Sequence, residues 1–415
     1  MLGAGMKMAT IQNKPPTARC LDLTRLVSRI GRGSLTGIDR VELAYLSHFL
    51  CDPAPLYSLV KFRKFQFLLS PASTQALADL ILAGQTNSSA LTRRKQRSKN
   101  WRLAYWLWAQ SLCAAKSSQM ARKLRLHLPE GTAYINTGHS NLAPNTFQAL
   151  KKIRGMHITV LVHDCIPLDY AQYQRVGTPE RFKAKMQAVS QYADFVIFNS
   201  KDSKDTTEPH FHAFGRVPPS VIALLGIAPN WQLTAPISAP INIEQPYFVT
   251  VGTIEPRKNH ALLLDIWAKL ASHPHPPKLV IVGKRGWNNQ TVFDRLDRSP
   301  ANIVELNNVS DTDLNALLDR AAGALFPSLA EGFGFPPAEA ALRGVPVICG
   351  DLPVYKEFLG DYPVYADTAD MYLWETTIQK LVNRQQNADN KPADAKSPIS
   401  LPTWEKHFNL VLKWT

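Results

Sequence analysis

Two glutamates eight positions apart, Glu331 and Glu339, bracket a turn rich in glycine and proline within the run Ser328-Leu-Ala-Glu-Gly-Phe-Gly-Phe-Pro-Pro-Ala-Glu339. A helix that starts after such a turn points unpaired N–H groups and a partial positive charge outward, which makes it a receptor for anions and hydroxyls. Gly332 and Gly334 permit close backbone approach, and Pro337 fits the first helical turn, where its missing donor costs nothing. With Glu331 in the loop mouth and Glu339 in the helix, both acids can face hydroxyls of one ligand. The plain alternative is a capped helix with surface acids.

A second cluster lies in Val251-Gly-Thr-Ile-Glu-Pro-Arg-Lys-Asn259. Arg257 and Lys258 stand where a helix should begin, and cations there oppose the macrodipole. A bound diphosphate explains them better than a solvated pair, since arginine offers a fork of donors and lysine a movable charge. Two histidines follow apolar runs: His139 after Thr132–Asn136, and His163, with Asp164, after Ile158–Val162. Either one alone reads as structural; together, at adjacent strand ends opposite the Glu331 loop, they are general-acid candidates. Gly37, in Gly31-Arg-Gly-Ser-Leu-Thr-Gly37, can bring backbone amides to a phosphate, although this is neither a dinucleotide fingerprint nor a Walker loop. No H-x-x-x-H, C-x-x-C or suitably placed D-x-D pattern occurs, so no metal site is expected and basic side chains must neutralise a leaving diphosphate.

These residues need strands to present them. The amino-terminal half alternates β-rich runs (Arg19–Leu23, Leu56–Lys61, Thr132–Asn136, His157–His163, Phe195–Asn199, Ser220–Leu224) with helical patterns such as Ile38–Phe49, Thr74–Leu82 and Pro179–Tyr192. A Pro- and Ala-rich linker, Ile227–Pro246, separates them from a second series: Tyr247–Gly252, Lys278–Gly283, Asn302–Leu306, Gly323–Phe326 and Val345–Cys349. The expected architecture is α/β: two doubly wound Rossmann-like domains, residues 1–235 and 245–400, facing across a cleft. A polar loop, Asn383–Ser397, precedes a closing helix in 401–415 that packs back toward the first domain.

At 415 residues, 45% hydrophobic and 19% charged, the composition is that of a globular protein, without an eighteen-residue apolar run or a signal-peptide pattern. Five scattered cysteines point to a reducing compartment. The net charge of +14 is concentrated: Leu80–Pro129 holds no acid and ten Lys or Arg. Within this basic aromatic segment, 91–127, lie Trp101, Tyr105, Trp106 and Trp108. An anionic membrane surface contacted through 93–125 suits that mixture. Packing of Trp101, Tyr105 and Trp108 on the core, or a nucleic-acid footprint, are the alternatives; nucleic acid is not the expected partner.

Taken in order, V-G-T-I-E-P-R-K-N, F-P-S-L-x-E-G-F-G-F-P-P-x-E-A and G-V-P-V-I resemble the family 4 retaining glycosyltransferases of GT-B fold over about Tyr247–Tyr365. T-G-I-D-R-V-E and V-H-D-C-I-P are similar to the variant seen in bacterial polysaccharide assembly. The resemblance implies transfer of a mannose-, glucose- or deoxyhexose-type sugar from a nucleotide diphosphate sugar to an acceptor hydroxyl. Glu339 would bind ribose hydroxyls and Glu331 those of the donor sugar. Lys258 with the backbone of Gly334 and Phe335 would meet the diphosphate, Gly37 would close the site from the other domain, and His139, or alternatively His163, would lie near the reacting carbon. Thr253 stands where many members have arginine, a charge that Arg257 would supply. Neither cofactor nor metal is implied, and the acceptor would be a glycan or a lipid-linked intermediate at the inner face of a cell membrane. A non-catalytic nucleotide-sugar-binding scaffold and a GT-B epimerase are the alternatives.

Overall fold

The computed structural model describes residues 15–30, 35–86, 93–227, 243–298, 300–386 and 399–415. Most of the linker expected at 227–246, the turn Gly31–Ser34 and most of the loop expected at 383–397 lie outside them. Asn383 instead extends the helix Met371–Gln386.

Eight strands build the first sheet: β1 (Ala18–Asp22), β2 (Leu56–Phe62), β3 (Phe65–Leu69), β4 (Ser111–Lys116), β5 (Thr132–Asn136), β6 (His157–Val162), β7 (Phe195–Phe198) and β8 (Ser220–Ile222), in the order β4-β3-β2-β1-β5-β6-β7-β8. Six build the second: β9 (Tyr247–Val251), β10 (Lys278–Val282), β11 (Ile303–Leu306), β12 (Gly323–Phe326), β13 (Val347–Gly350) and β14 (Val364–Ala366), in the order β11-β10-β9-β12-β13-β14. β1, β5 and β7 are buried along their whole length, because helices cover both sheet faces. Each sheet reverses its strand order once, between β1 and β5 and between β9 and β12. Those reversals create the crevices at carboxyl strand ends where ligands bind in open α/β sheets.

The antiparallel edge strands β3 and β4 were not expected. β3 pairs antiparallel with β2 through the two-residue turn Arg63-Lys64, in which Arg63 takes φ 56°, and β4 pairs antiparallel with β3. Its sequence, Ser111-Leu-Cys-Ala-Ala-Lys116, has little β propensity and gains its conformation from the pairing. The basic helix Arg93–Gln110 leads into it. Leu107 is fully buried, and Leu103 and Trp106 are the partly buried residues packed on the core. Trp101 and Tyr105 instead point outward, 70% and 77% exposed, so the packing alternative fails for these two. Trp108 is half exposed yet meets Phe65 and Phe67 edge-on.

The helix Trp404–Val411 lies against the first lobe. Burial drives His407 down to about 4, so its ring is neutral. With Nδ1 near the Ala223 and Leu224 carbonyls, Nε2 accepts from Tyr45 Oη at 2.7 Å. His48 stacks on Phe408 at 3.7 Å between ring centroids. The lobes also meet elsewhere: the Glu357 carboxylate accepts from the Lys201 and Asp202 amides, each at 2.7 Å, and Trp287 Nε1 donates to the Tyr173 carbonyl at 2.9 Å.

Candidate active site

Both reversal points carry the residues singled out in the sequence. Arg257 and Lys258 form a 3-10 turn after β9, and Glu331 lies in the loop after the neighbouring β12. Lys258 Nζ and Arg257 Nη1 pair with opposite oxygens of the Glu331 carboxylate, Arg257 at 2.8 Å, while Ser328 Oγ donates to it at 2.7 Å. Arg257 also bonds Glu255 at 2.7 Å and the Ala330 carbonyl at 2.9 Å. Burial alone would raise the Glu331 carboxyl, yet Lys258 and Arg257 hold it down at about 2. Burial pulls the Lys258 ammonium down, against the attraction of Glu331. For Arg257 burial works in the same direction but loses to Glu331 and Glu255, which keep its guanidinium charged. Arg257 is therefore a structural tie between the two loops. Thr253 lies beside the turn at Gly286, where an added Cβ would come within 2.8 Å of its Cγ2.

Downstream, Gly334 takes φ 115° as the N-cap of the helix Phe335–Leu342, and a Cβ there would strike the Tyr355 ring at 2.4 Å. Only glycine fits. Gly332 packs on the other lobe: its carbonyl accepts from Asn199 Nδ2 at 3.0 Å and Ser203 Oγ at 3.2 Å, and a Cβ would lie 2.5 Å from Asp164 Oδ2. Removal from water pushes the Asp164 carboxyl up to about 6, and Arg257 opposes the shift. Glu339, one turn into its helix, forms an ion pair with Arg40 across the lobes. The Arg40 guanidinium lies 4.7 Å over the Phe335 ring, and Gly37 sits where a Cβ would be 3.2 Å from that ring. The Gly37–Leu50 helix thus faces the Phe335–Leu342 helix directly.

On the first lobe, His139 follows β5 and His163 follows β6. The His163 amide donates to His139 Nε2 at 3.2 Å, and His163 Nε2 meets the Thr137 carbonyl at 2.7 Å. Burial lowers His163 to about 4 and drives His139 well below its usual value, with His163 and Lys185 adding to the latter shift. Both rings are neutral near pH 7. A general-acid role for either ring would require it to take up a proton that burial disfavours. His139 at φ 51° sits in a strained loop. Beneath that loop Glu42 is fully buried, and its Oε2 is 2.3 Å from where a Cβ on Gly138 would be. Burial, with Asp22 nearby, raises the Glu42 carboxyl well above the usual range.

Sequence reasoning brought together Lys258, Arg257, Glu331 and Gly334 on one side and His139 and His163 on the other. It missed Arg40, Glu42 and Ser328. The first two stand in the same T-G-I-D-R-V-E run as Gly37, but two positions apart on a helix they face different ways, Arg40 toward Glu339 and Glu42 toward Gly138. Among the described residues, no group of three or more His, Cys, Asp or Glu is arranged to hold a metal ion, and no helix is long and apolar enough to cross a membrane.

Residues 234–396 match the family described as glycosyl transferases group 1. The serotype-specific mannosyltransferase WbdA of Escherichia coli is 28% identical over 293 residues, which cover 66% of this chain and 36% of WbdA. The O-antigen chain mannosyltransferase B of Escherichia coli is 35% identical over 130 residues, 31% of this chain and 34% of that protein. The chain thus spans about a third of the length of the relatives it matches. Among solved structures, Anabaena HepE in complex with UDP-glucose superposes with a TM-score of 0.55 at 13% identity, covering 89% of this chain and 90% of HepE. That is a likeness of fold.

Proposed function

We propose that this chain, a GT-B protein whose second lobe is a glycosyl transferases group 1 domain, moves a hexosyl group from a nucleotide diphosphate sugar to an acceptor hydroxyl. Retention at the anomeric carbon, no metal, and a role in bacterial surface polysaccharide assembly complete the reading. One observation carries it: Lys258 and Glu331 meet at the β9/β12 reversal, and Gly332, next to Glu331, packs against His163 and Asp164 at the β6 strand end. Mannose ranks first among the mannose-, glucose- and deoxyhexose-type donors because relatives are named mannosyltransferases.

In this reading the ribose hydroxyls take Glu339 in exchange for Arg40. The diphosphate takes Lys258 and the amides of Gly334 and Phe335, and Gly37 closes over it. Glu331 turns from counter-ion of the lysine to acceptor for sugar hydroxyls. The anomeric C–O bond to the diphosphate breaks as the acceptor oxygen bonds the same face, and the acceptor proton passes to the departing phosphate oxygen. His139, being neutral, orients the sugar. Lys258 answers the charge that develops on the leaving group, usually the largest catalytic term.

Nucleoside diphosphates and their sugars, screened by thermal shift, should stabilise the fold by about 2.7 kcal/mol at a hundred times Kd. Turnover of the best donor should survive EDTA, and the product anomer should match the donor's. A chain that no nucleoside diphosphate stabilises is not a nucleotide-sugar enzyme.

The exposed pair Trp101 and Tyr105, on a helix whose sequence is rich in arginine and lysine, supports peripheral contact with an anionic membrane at its cytoplasmic face. Vesicles of phosphatidylglycerol should float the protein, and Trp101→Ala with Tyr105→Ala should release most of it. Equal flotation of the variant removes this part of the reading.

A further inference from the structure

The first lobe holds cations that the donor does not require. β2, β1, β5 and β6 lie side by side and parallel, so their carboxyl ends form one rim. Lys61 stands at the end of β2, fixed by its amide donating to Thr24 Oγ1 at 2.9 Å. Arg25 follows β1. Lys185, from the helix Thr178–Tyr192, reaches over the rim to the His139 carbonyl at 2.8 Å. Arg181 lies one turn before it on the same helix.

The charges acting on Lys185 are Arg25, Arg181 and Lys61, every one a cation; together with burial, which weighs most, they lower its ammonium. Asp39 answers Arg25 at 2.6 Å. Glu42, the other nearby acid of that helix, accepts from the Leu26 amide at 3.4 Å, and burial raises its carboxyl well above the usual range. Among the described residues no carboxylate pairs with Lys61, Arg181 or Lys185; the contacts of the last two are with Thr178 Oγ1 and the His139 carbonyl. An ammonium has three donors, so Lys185 keeps two for a ligand. Like charges gathered in a partly buried place cost free energy, and an anion set among them lowers that cost.

The rim also continues outward. Arg63, in the turn that follows Lys61, lies 5.8 Å over the Trp101 ring, which links the basic rim to the exposed aromatic face of the Arg93–Gln110 helix.

We infer that Lys61, Lys185 and Arg181 form a phosphoryl-binding subsite on the acceptor side of the cleft, so that the acceptor carries a phosphate or diphosphate close to the hydroxyl that reacts beside His139. This rests on the glycosyl-transfer reading. A lipid-borne diphosphate and a soluble phosphorylated glycan share the chemistry, and the arms of the test separate them.

Calorimetric titration with inorganic pyrophosphate and with farnesyl diphosphate, each with and without saturating GDP or UDP, tests the subsite. Both ligands should still bind with the nucleotide present, and Lys61→Ala with Lys185→Ala should weaken that binding at least tenfold while leaving nucleotide affinity within about twofold. Where the double variant melts early, Lys61→Glu serves instead, since Lys61 ends a strand at a partly exposed position. Tighter binding of farnesyl diphosphate than of pyrophosphate assigns the anion to a lipid; equal binding assigns it to a soluble acceptor. Binding abolished by nucleotide, or unchanged in both variants, overturns the subsite. Failure of the broader reading looks different: nucleotide itself then does not bind.

Discussion

Replacing Lys258 with methionine is expected to lower turnover by about 10²–10³-fold, the loss typical of removing one positioned donor from a developing oxyanion. The lysine follows β9 at the strand reversal, and its stem packs beside Gly252, where an added Cβ would meet Cε at 3.4 Å. Methionine fills that space without the charge. Glu331 is not orphaned by the change, because Arg257 still pairs with its Oε2 and Ser328 with its Oε1. The variant should therefore fold, which separates the catalytic effect from a collapse of the loop. Lys258→Arg should recover only part of the rate, since a planar fork cannot take the place of a compact ammonium. The measurements are kcat with the preferred donor and the melting temperature of each variant. A methionine variant that turns over within a few-fold of wild type, while folded, would remove Lys258 from the reacting centre.

Much of this arrangement was legible before any coordinates. The runs that became β6, β9 and β10 are largely apolar and, like β5, rich in β-branched or aromatic residues, as central parallel strands with both faces covered tend to be. The strand-to-helix turns after β9 and β12 carry Gly, Pro and paired charges in a short span, so their chemistry is local and visible. Contacts between the lobes were not. Nothing about Arg40 in sequence announces that it pairs with Glu339, 299 positions away, because that partnership depends on how two sheets face each other. β4 was hidden for a related reason: Ser111–Lys116 lacks strand residues and forms as the partner of Phe65–Leu69. The histidines illustrate a third limit. Their positions at strand ends could be read from the pattern, but their depth could not, and depth decides that they are neutral.

Glu331→Gln should cost about 3 kcal/mol of stability at pH 7, and that cost should shrink as the solution is acidified. The folded carboxyl titrates at about 2, against an ordinary 4.5. A depressed value means that the charged form stabilises the fold: the contribution is complete above 4.5 and is lost as the pH falls toward 2. With 1.36 kcal/mol for each unit, the full contribution is about 3 kcal/mol and about 1 kcal/mol remains at pH 3. Glutamine has no such dependence, and it leaves Lys258 buried without its counter-ion, the kind of change that weighs heavily in a protein interior. Asp164 runs the other way: its folded carboxyl is raised to about 6 from 3.8, so its protonated form favours the fold and that contribution is lost as the pH rises from 3.8 through 6. Because Asp164 is present in both proteins, most of its effect cancels in the difference. Denaturant unfolding of wild type and variant at pH 7 and pH 3 therefore reads the Glu331 contribution directly. A gap between the two proteins that stays constant from pH 7 to pH 3 would show that Glu331 does not hold the two cations as an ion-paired cluster, and would remove the electrostatic basis of the proposed donor site.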